Sequence, residues 1–581
     1  MPAGRELPRS GQASSLLTVT REPGAGLEVD PGNGALLSQG TCRNARLRGY
    51  VAALLILILI ALAGGFAIGL GQDANWDLQN YHFYNPWAWL RGRGFDRDIA
   101  AAQIQTYHNP LGDLPFYWMV DAGWNPRLIA FVLAIPAGIS AFFVARIAWD
   151  MFVDLGGYDR VGATVAAVAI GVTGNMGVGQ LGTTFNEWPV TALVIAAAAT
   201  LVRVLVRSTG ALVLTARTLA GSGFLAGLAC GLKLTAAPFT VGLCVGLLLR
   251  GPRASPRWRD ALVFALATLA GMAVTYGWWG VVLWERFRNP FFPYFNELFG
   301  SPWWGPWPAV LRHYGPHTWQ QWIEFPWRLH SPDAFFVSEV TYTDWRFAVL
   351  YSLALFALLA WLVRRVTRAE SDASEARPSR ATAAFRFVSL FFAVSFVVWT
   401  ASYSILRYTI ELELLTGVLI VGLVLRMLQP PFARTGVIVA MVGLIATTRY
   451  PDWWRVPYGD RWFDVRVPAI EPNALIVLAS GAPMAYTLPF FPADARHVGI
   501  RNNANVPGRD TLLMRSAIAA LASHAGPLYE LSYTSPLTPA TDLSAYHVRK
   551  VEGSCMEVRT NMRISPMQLC RLQRVGNTDK R

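Results

Sequence analysis

The stretch "VAALLILILIALAGGFAIGL" (Val51–Leu70) decides the fold class. It carries no charge and matches the roughly 20 apolar residues that an α-helix needs to cross a hydrocarbon core of about 30 Å. The polar leader before it, residues 1–48, is far longer than the n-region of a cleaved signal peptide, so the run reads as a membrane span. The leader is rich in Gly, Pro and Ser and reads as disordered.

Working outward, similar runs recur at 127–148, 161–181, 189–205, 219–232, 235–249, 261–283, 347–363, 387–401, 412–425 and 435–447. About eleven spans are therefore expected, with the pair around Lys233 readable as two short spans or one broken one. Composition agrees. Of 581 residues 53% are hydrophobic and 15% charged, against about a quarter charged in soluble domains. The 23 tryptophans suit a chain with many bilayer interfaces to anchor.

A net charge of +13 invites a nucleic-acid partner, but the positions of the cations exclude that reading. Arginines cluster in alternate loops, at 203, 207 and 217, at 250, 253, 257 and 259, at 364–386, and at 426 and 434, the pattern that orients membrane helices. With the leader in the cytoplasm, loops 71–126 and 285–346, the short turn at Asn186 and everything after residue 449 lie outside it. The organisation expected is a cytoplasmic leader (1–48), a multi-span domain (49–449) and an extracytoplasmic domain (450–581). That last part has strand-like "NALIVLAS" and "PLYELSY" and a helical pattern at 510–524, so it reads as a small α/β domain. The fold class is thus an α-helical polytopic membrane protein with a C-terminal α/β domain. Cys555 and Cys570 fall in that domain, where an oxidising exterior permits a disulfide; two free thiols are the alternative.

The first external loop reads "GQDANWDLQNYHFYNPWAWLRGRG" and carries the densest chemistry. If helical, it sets Asp73, Asp77, Asn80 and Tyr81 along one face, with His82 beside them. "NPWAWLRGRG" then looks like an interfacial helix with tryptophans down and arginines up. A second polar knot follows at Tyr107, His108, Asn109 and Asp113. Two acids near a membrane surface can equally cap or solvate a helix; the company of Tyr, His and Asn is what favours chemistry.

Three further sites point to the same side. They are Asn186 and Glu187 in "TTFNEWPV", Lys233 in "GLACGLKLTAAPF", and Arg407, Tyr408 and Glu411 in "YSILRYTIELELL". Lys233 could instead snorkel to the interface, and Arg407 could anchor a helix end. Together the acids and cations suggest one polar chamber. The span interiors, by contrast, hold almost no ionisable residues, with Arg146 and Glu413 near the ends, and no inverted repeat is visible. Both features weigh against a transporter, which keeps its site near the midplane on broken helices. The aromatic loop "NPFFPYFNELFGSPWWGPWP" reads either as a lid over an amphiphilic substrate or as interfacial anchoring.

On these residues the chain resembles the GT-C superfamily of integral membrane glycosyltransferases. "WDLQNYH" looks like the acidic motif of their first external loop, "GLKLTAAPF" like their Lys-bearing turn, and "LRYTIELELL" like their late Arg-Tyr helix end. The resemblance runs from the first span to the tenth and is closest in flavour to mannosyl- and arabinosyltransferases that use polyprenyl-phosphate sugars. It implies transfer of a sugar to an acceptor hydroxyl on a lipid or glycan at the outer face of a bacterial inner (plasma) membrane, with the N-terminus cytoplasmic and the C-terminus outside. It implies Asp77 as general base, with Asp73 or Glu187 next. Lys233 and Arg407 would meet the leaving phosphate, and Asn80, Tyr81, His82, Asn109, Asp113, Asn186 and Tyr408 would bind substrate. The loop lacks a compact Asp-Asp or Asp-Glu pair; Asp77 and Glu187 are the ligands open to a divalent cation, Mg2+ or Mn2+. A transporter or flippase of lipid-linked saccharide or another amphiphile is the alternative.

Overall fold

The computed structural model describes residues 31–207, 215–249, 257–309, 314–331, 336–367, 379–534, 543–562 and 566–575, with backbone alone for 31–45. The described residues up to Leu54 and those from Leu55 onward form two separate units. Each apolar run of the sequence is mainly helical, the expected 161–181 span breaking after Val172 into Gly157–Val172 and the short Asn175–Gly179. Among the described residues, seven helices are long and apolar enough to cross a membrane: Arg46–Leu70, Pro126–Met151, Glu187–Arg207, Arg257–Phe287, Arg346–Thr367, Arg380–Ser402 and Pro430–Thr447. The other expected spans are shorter or more polar. Gly157–Val172 has 16 residues, Ala216–Leu232 has 17, Ala237–Leu249 has 13, and Ile410–Met427 carries Glu411 and Glu413 in its first turn. Around Lys233 the chain makes two short helices joined by a 3-10 turn at Leu234–Ala236. The first helix starts at Pro31, inside the leader expected to be disordered, because extending an existing helix is far cheaper than nucleating one.

Helix starts follow the local chemistry. Asn125 accepts a hydrogen bond from the Arg127 N–H with Pro126 in the first turn, and the Ser379 hydroxyl accepts from the Thr382 N–H. Small residues set the closest packing, as expected where lipid removes the hydrophobic drive between helices. At Gly227 any Cβ would collide with the Thr268 carbonyl, so Ala216–Leu232 and Arg257–Met272 touch backbone to backbone. Glu187–Arg207 is the most buried span, with 67% of its apolar window inside the protein; it forms the axis of the helical part.

Loops predicted on one side of the membrane meet each other. Asp154 accepts from Ser379 (3.2 Å) and Asp159 pairs with Arg434 (2.8 Å) at the end where the basic loops lie. At the other end the 71–126 loop, the turn before Glu187, Lys233, the 285–346 loop and Arg407 come together, as described below.

The C-terminal part is built on a sheet of eight strands: β1 (Asp98–Ile99), β2 (Val465–Arg466), β3 (Leu475–Leu478), β4 (Arg496–Gly499), β5 (Leu528–Tyr533), β6 (Val548–Lys550), β7 (Met556–Thr560) and β8 (Met567–Arg574). Their order is β1-β4-β3-β5-β8-β7-β2, with β6 also on β8. The β1, β4, β3 and β5 strands are parallel and the rest antiparallel. Leu475, Ile476, Val477 and Leu478 are buried on both faces, as central parallel strands require. The helix expected near 510–524 runs Leu512–Ser523, with the Thr511 hydroxyl accepting from the Met514 N–H. Cys555 and Cys570 are disulfide-bonded. The register of β7 on β8 (Met556 opposite Leu569) makes them direct cross-strand neighbours.

One feature departs from a tail folding on its own residues. β1 comes from the first external loop and extends the sheet beside β4, covering an edge that would otherwise present unpaired backbone groups. Arg93, expected to face water on an interfacial helix, is instead buried. Its Nη2 donates to Asp98 Oδ1 (2.8 Å) and to the Ala495 carbonyl, and its guanidinium lies 4.8 Å from the Trp87 ring centre. Tyr84 and His497 also bond Asp98 (2.9 and 3.1 Å), so a buried Arg–Asp–His–Tyr knot ties loop to sheet. A buried Arg persists only when it is paired, which is why it turned inward with Asp98.

Candidate active site

Gly71 ends the first span with φ +97°, and Gln72 pairs with Val456 in an isolated bridge. Asp73 follows and is fully buried. It accepts from the Asn75 N–H (3.0 Å) and from the Thr184 N–H and hydroxyl (both 2.9 Å), which fastens the loop to the turn before Glu187. Asn75 Oδ1 accepts from the Leu78 N–H and starts the next helix. Asp73 therefore lies ahead of the helix, and the face expected to hold it with Asp77, Asn80 and Tyr81 does not form.

The helix itself is a π turn, Leu78–His82, opened from Asp77. Its i→i+5 spacing brings His82 round towards Asp77, and such turns recur at functional sites. Asn80 points elsewhere, donating to the Ala102 carbonyl (3.3 Å) and Gln105 Oε1 (3.2 Å).

Asp77 meets Arg407: Nη1 donates to Oδ2 at 3.0 Å. The guanidinium lies 5.0 Å from the Phe185 ring centre and 5.2 Å from that of Tyr408, and reaches Glu339 Oε1 at 3.7 Å. Lys233 forms an ion pair with Glu187, donates to the Phe185 carbonyl (2.8 Å) and sits 5.1 Å from the Tyr408 ring centre. Tyr408 thus has a cation on each hand. Asn186, at φ +65°, donates to Asp113 Oδ1 at 2.5 Å, and the same oxygen accepts from His82 Nδ1 at 2.6 Å. Asn109 bonds the carbonyls of Gly231 and Thr275 (3.1 and 2.9 Å), bracing the turn that presents Lys233 against a π turn in the facing helix. Tyr81 lies edge-on to His108, whose Nε2 bonds the Tyr294 hydroxyl at 2.7 Å.

The structure therefore brings together Asp77, Tyr81, His82, Asp113, Asn186, Glu187, Lys233, Arg407 and Tyr408. Asp73, Asn80 and Asn109 lie in the supporting frame. Glu411 is buried in the helix after Tyr408. Sequence reasoning overlooked Glu339 and Tyr294, which reach the cluster from the 285–346 loop. Only their place in a loop on the same side hinted at them.

Charge is held in defined states. Burial alone would raise the Asp77 pKa, but Arg407 first, then His82, Lys233 and His108, hold it below the usual carboxylate range. Burial lowers His108 to about 4, so it is neutral at pH 7, and lifts Tyr408 to about 12. Several buried polar atoms around the centre have no partner, among them His82 Nε2, Glu187 Oε2, Glu339 Oε2 and Arg407 Nε. Native interiors rarely leave such groups unpaired, and where they do a functional site is a recurrent reason.

The donor set does not fit a divalent ion. Asp77 and Glu187 are each bound to a fixed cation, and among the described residues no group of three His, Cys, Asp or Glu could hold a metal. A cleft of about 620 Å³ lined by Phe83, Trp87, Trp124, Trp462 and Phe490 includes none of these four charged residues.

The chain is similar in structure to an Archaeoglobus fulgidus oligosaccharyltransferase in its apo form, with a TM-score of 0.41 and 12% identity over 82% of this chain and 69% of that one. It is likewise similar to the archaeal oligosaccharyltransferase AglB from Archaeoglobus fulgidus, solved with an inhibitory peptide and a dolichol-phosphate, with a TM-score of 0.42 and 11% identity over the same shares. No protein-family profile and no curated protein matches it.

Proposed function

We propose that this protein is a membrane glycosyltransferase that moves a sugar from a polyprenyl-phosphate donor to an acceptor hydroxyl at the extracytoplasmic face. The observation that carries the reading is the single cluster in which an ionised Asp77 sits with two fixed cations, Arg407 and Lys233. In the transfer, the bond from the anomeric carbon to the phosphate oxygen breaks and its electron pair leaves with the lipid phosphate. Lys233 and Arg407 are in place before that charge develops, so they stabilise it without reorganising. The acceptor oxygen bonds the anomeric carbon as its proton passes to Asp77. Asp77 is a weak base, but a hydroxyl attacking an oxocarbenium-like centre becomes strongly acidic, and a carboxylate then suffices. Glu187 holds Lys233, Asp73 holds the loop, and Asn186 with Asp113 aligns His82.

The outward orientation is supported by the basic loops gathering at the end opposite the cluster and by the Cys555–Cys570 disulfide, which an oxidising compartment sustains. With the cluster at that end, the lipid tail of the donor stays in the bilayer while its phosphate reaches Lys233. The bacterial inner membrane is the corresponding location.

The test is sugar transfer by purified full-length protein in nanodiscs, given farnesyl-phosphate mannose or arabinose and octyl mannoside as acceptor. Asp77→Asn should keep expression and abolish transfer. Full activity in both Asp77→Asn and Glu187→Gln would remove the assigned site, and a wild type that turns over neither donor would remove the function.

A further inference from the structure

The cleft of about 620 Å³ has no part in the transfer itself, yet its size is that of a ligand site and it lies where two segments of the chain meet. One wall is Phe83, Trp87, Tyr117 and Trp124 of the 71–126 loop, and the other is Trp462 and Phe490 of the tail. The walls are fixed to each other, since the Phe83 ring lies 4.6 Å from that of Phe463 and 6.3 Å from that of Phe490. The Trp462 carbonyl accepts from Gln72 Nε2 (2.8 Å) and Asn561 Nδ2 (3.1 Å), which holds the tail side in place. Phe83 follows His82 directly, so the cleft begins one residue from the π turn of the charged cluster. Trp462 is 2% exposed and its Nε1 has no hydrogen-bond partner. Native interiors seldom leave such a donor unmatched, and in a cleft wall a ligand oxygen is the acceptor that would match it.

The chemistry of the lining selects a class of ligand. Arg91, Asp121, Asp460 and Arg461 stand exposed beside the aromatic walls. Two cations and two anions balance, which favours a neutral ligand over a phosphate or an acidic polymer. An alkyl chain would use the rings and gain nothing from the charged groups. A pyranose uses both, because its faces carry C–H groups that suit the electron-rich face of a ring, and its rim carries hydroxyls that donate to Asp and accept from Arg and the indole N–H. We propose that this cleft is a saccharide-binding subsite, and that it holds the sugar chain of the acceptor away from its reacting hydroxyl. The acceptor assignment rests on the transferase reading; the affinity for saccharide does not. The lip at Gly123 and Trp124 comes just before Pro126, the first residue of a span, so an acceptor anchored in the bilayer can lay its sugars there. Contacts made so far from the reacting centre supply binding energy that orients the hydroxyl.

Two probes separate sugar from chain: octyl mannoside and octyl mannotrioside, titrated calorimetrically into full-length protein in nanodiscs, with the arabinose counterparts alongside. In one of the two series the trioside should bind about tenfold tighter than its monoside, the worth of one good aromatic contact. Trp124, 43% exposed, can be changed without opening the core. Trp124→Ala and Asp460→Ala should each lose most of the difference, while Trp124→Phe, which keeps an aromatic face, should keep most of it. Asp77→Asn should keep it in full, since Asp77 lies outside the cleft. Equal affinity for trioside and monoside in both series would mean that only the alkyl chain is held and would overturn the proposal. Undiminished discrimination in both Trp124→Ala and Asp460→Ala would overturn it too. In steady-state transfer the trioside should show the lower KM, and Trp124→Ala should raise it. A wild type that discriminates the glycosides but transfers to neither overturns the function and leaves a saccharide site; transfer without any preference for the trioside overturns the acceptor subsite alone.

Discussion

Arg407 Nη1 lies 3.0 Å from Asp77 Oδ2, although 330 positions separate the two residues along the chain. The contact closes the polar cluster, joining the 71–126 loop to the start of a late helix, with Asp77 buried and Arg407 part-buried. Removing one partner of such a pair strands a charge, which costs about 3–5 kcal/mol. Arg407→Met should therefore lower the melting temperature in detergent more than Arg407→Met with Asp77→Asn does. Equal losses would mean the pair is not coupled in the folded protein. Transfer should be absent from both variants.

Lys233 and the buried Glu187 make a second pair, and here the two roles separate. Lys233→Met should abolish transfer because the leaving phosphate loses a cation. Glu187→Gln keeps that cation and should retain measurable transfer, reduced in kcat because the ammonium is less firmly placed. Lys233→Arg should not restore wild-type rates, since the Phe185 carbonyl and Glu187 hold a compact ammonium, and a planar guanidinium does not match that geometry. Steady-state kinetics on the three variants checks the order.

Acid should loosen the join between the first loop and the sheet. Burial alone would raise the Asp98 pKa, but His497 and Arg93 hold it well below the ordinary carboxylate value. A depressed carboxylate contributes stability that is fully present above its unfolded pKa of about 3.9 and is lost as pH falls through its folded value. Thermal stability should thus drop below about pH 4, and Asp98→Asn should be less stable at neutral pH with a flatter acid slope. Melting curves between pH 3 and 7 read both.

Reducing the Cys555–Cys570 bond reopens a loop with a sequence separation of 15, which corresponds to about 3 kcal/mol of unfolded-state entropy. The double variant Cys555→Ser/Cys570→Ser should melt below wild type by the same amount as reduced wild type. Thiol labelling of denatured protein should find two more reactive thiols after reduction than before it.

Much of this molecule was legible in residue order. The apolar runs located the helices, the arginine clusters sorted the loops onto two ends, and short acid-, Lys- and Arg-bearing segments singled out Asp77, Glu187, Lys233 and Arg407, side chains that meet in the fold. Hydropathy and loop charge are local sums, so a linear sequence carries them in full. Three things were not local. The π turn placed His82, not Asp73, with Asp77, because ladder spacing is settled by packing against neighbouring segments. Arg93 turned inward because Asp98, five residues on, is held by His497, which lies 404 residues from Arg93 and came to its side once β1 joined the sheet. Glu339 and Tyr294 entered the cluster from a loop whose composition spoke only of aromatics. The sequence by itself determined what kind of environment each segment occupies. Only the tertiary structure decided which acid faces which cation, because a Coulomb interaction depends on separation in space and on exclusion of water, and neither is written in distance along the chain.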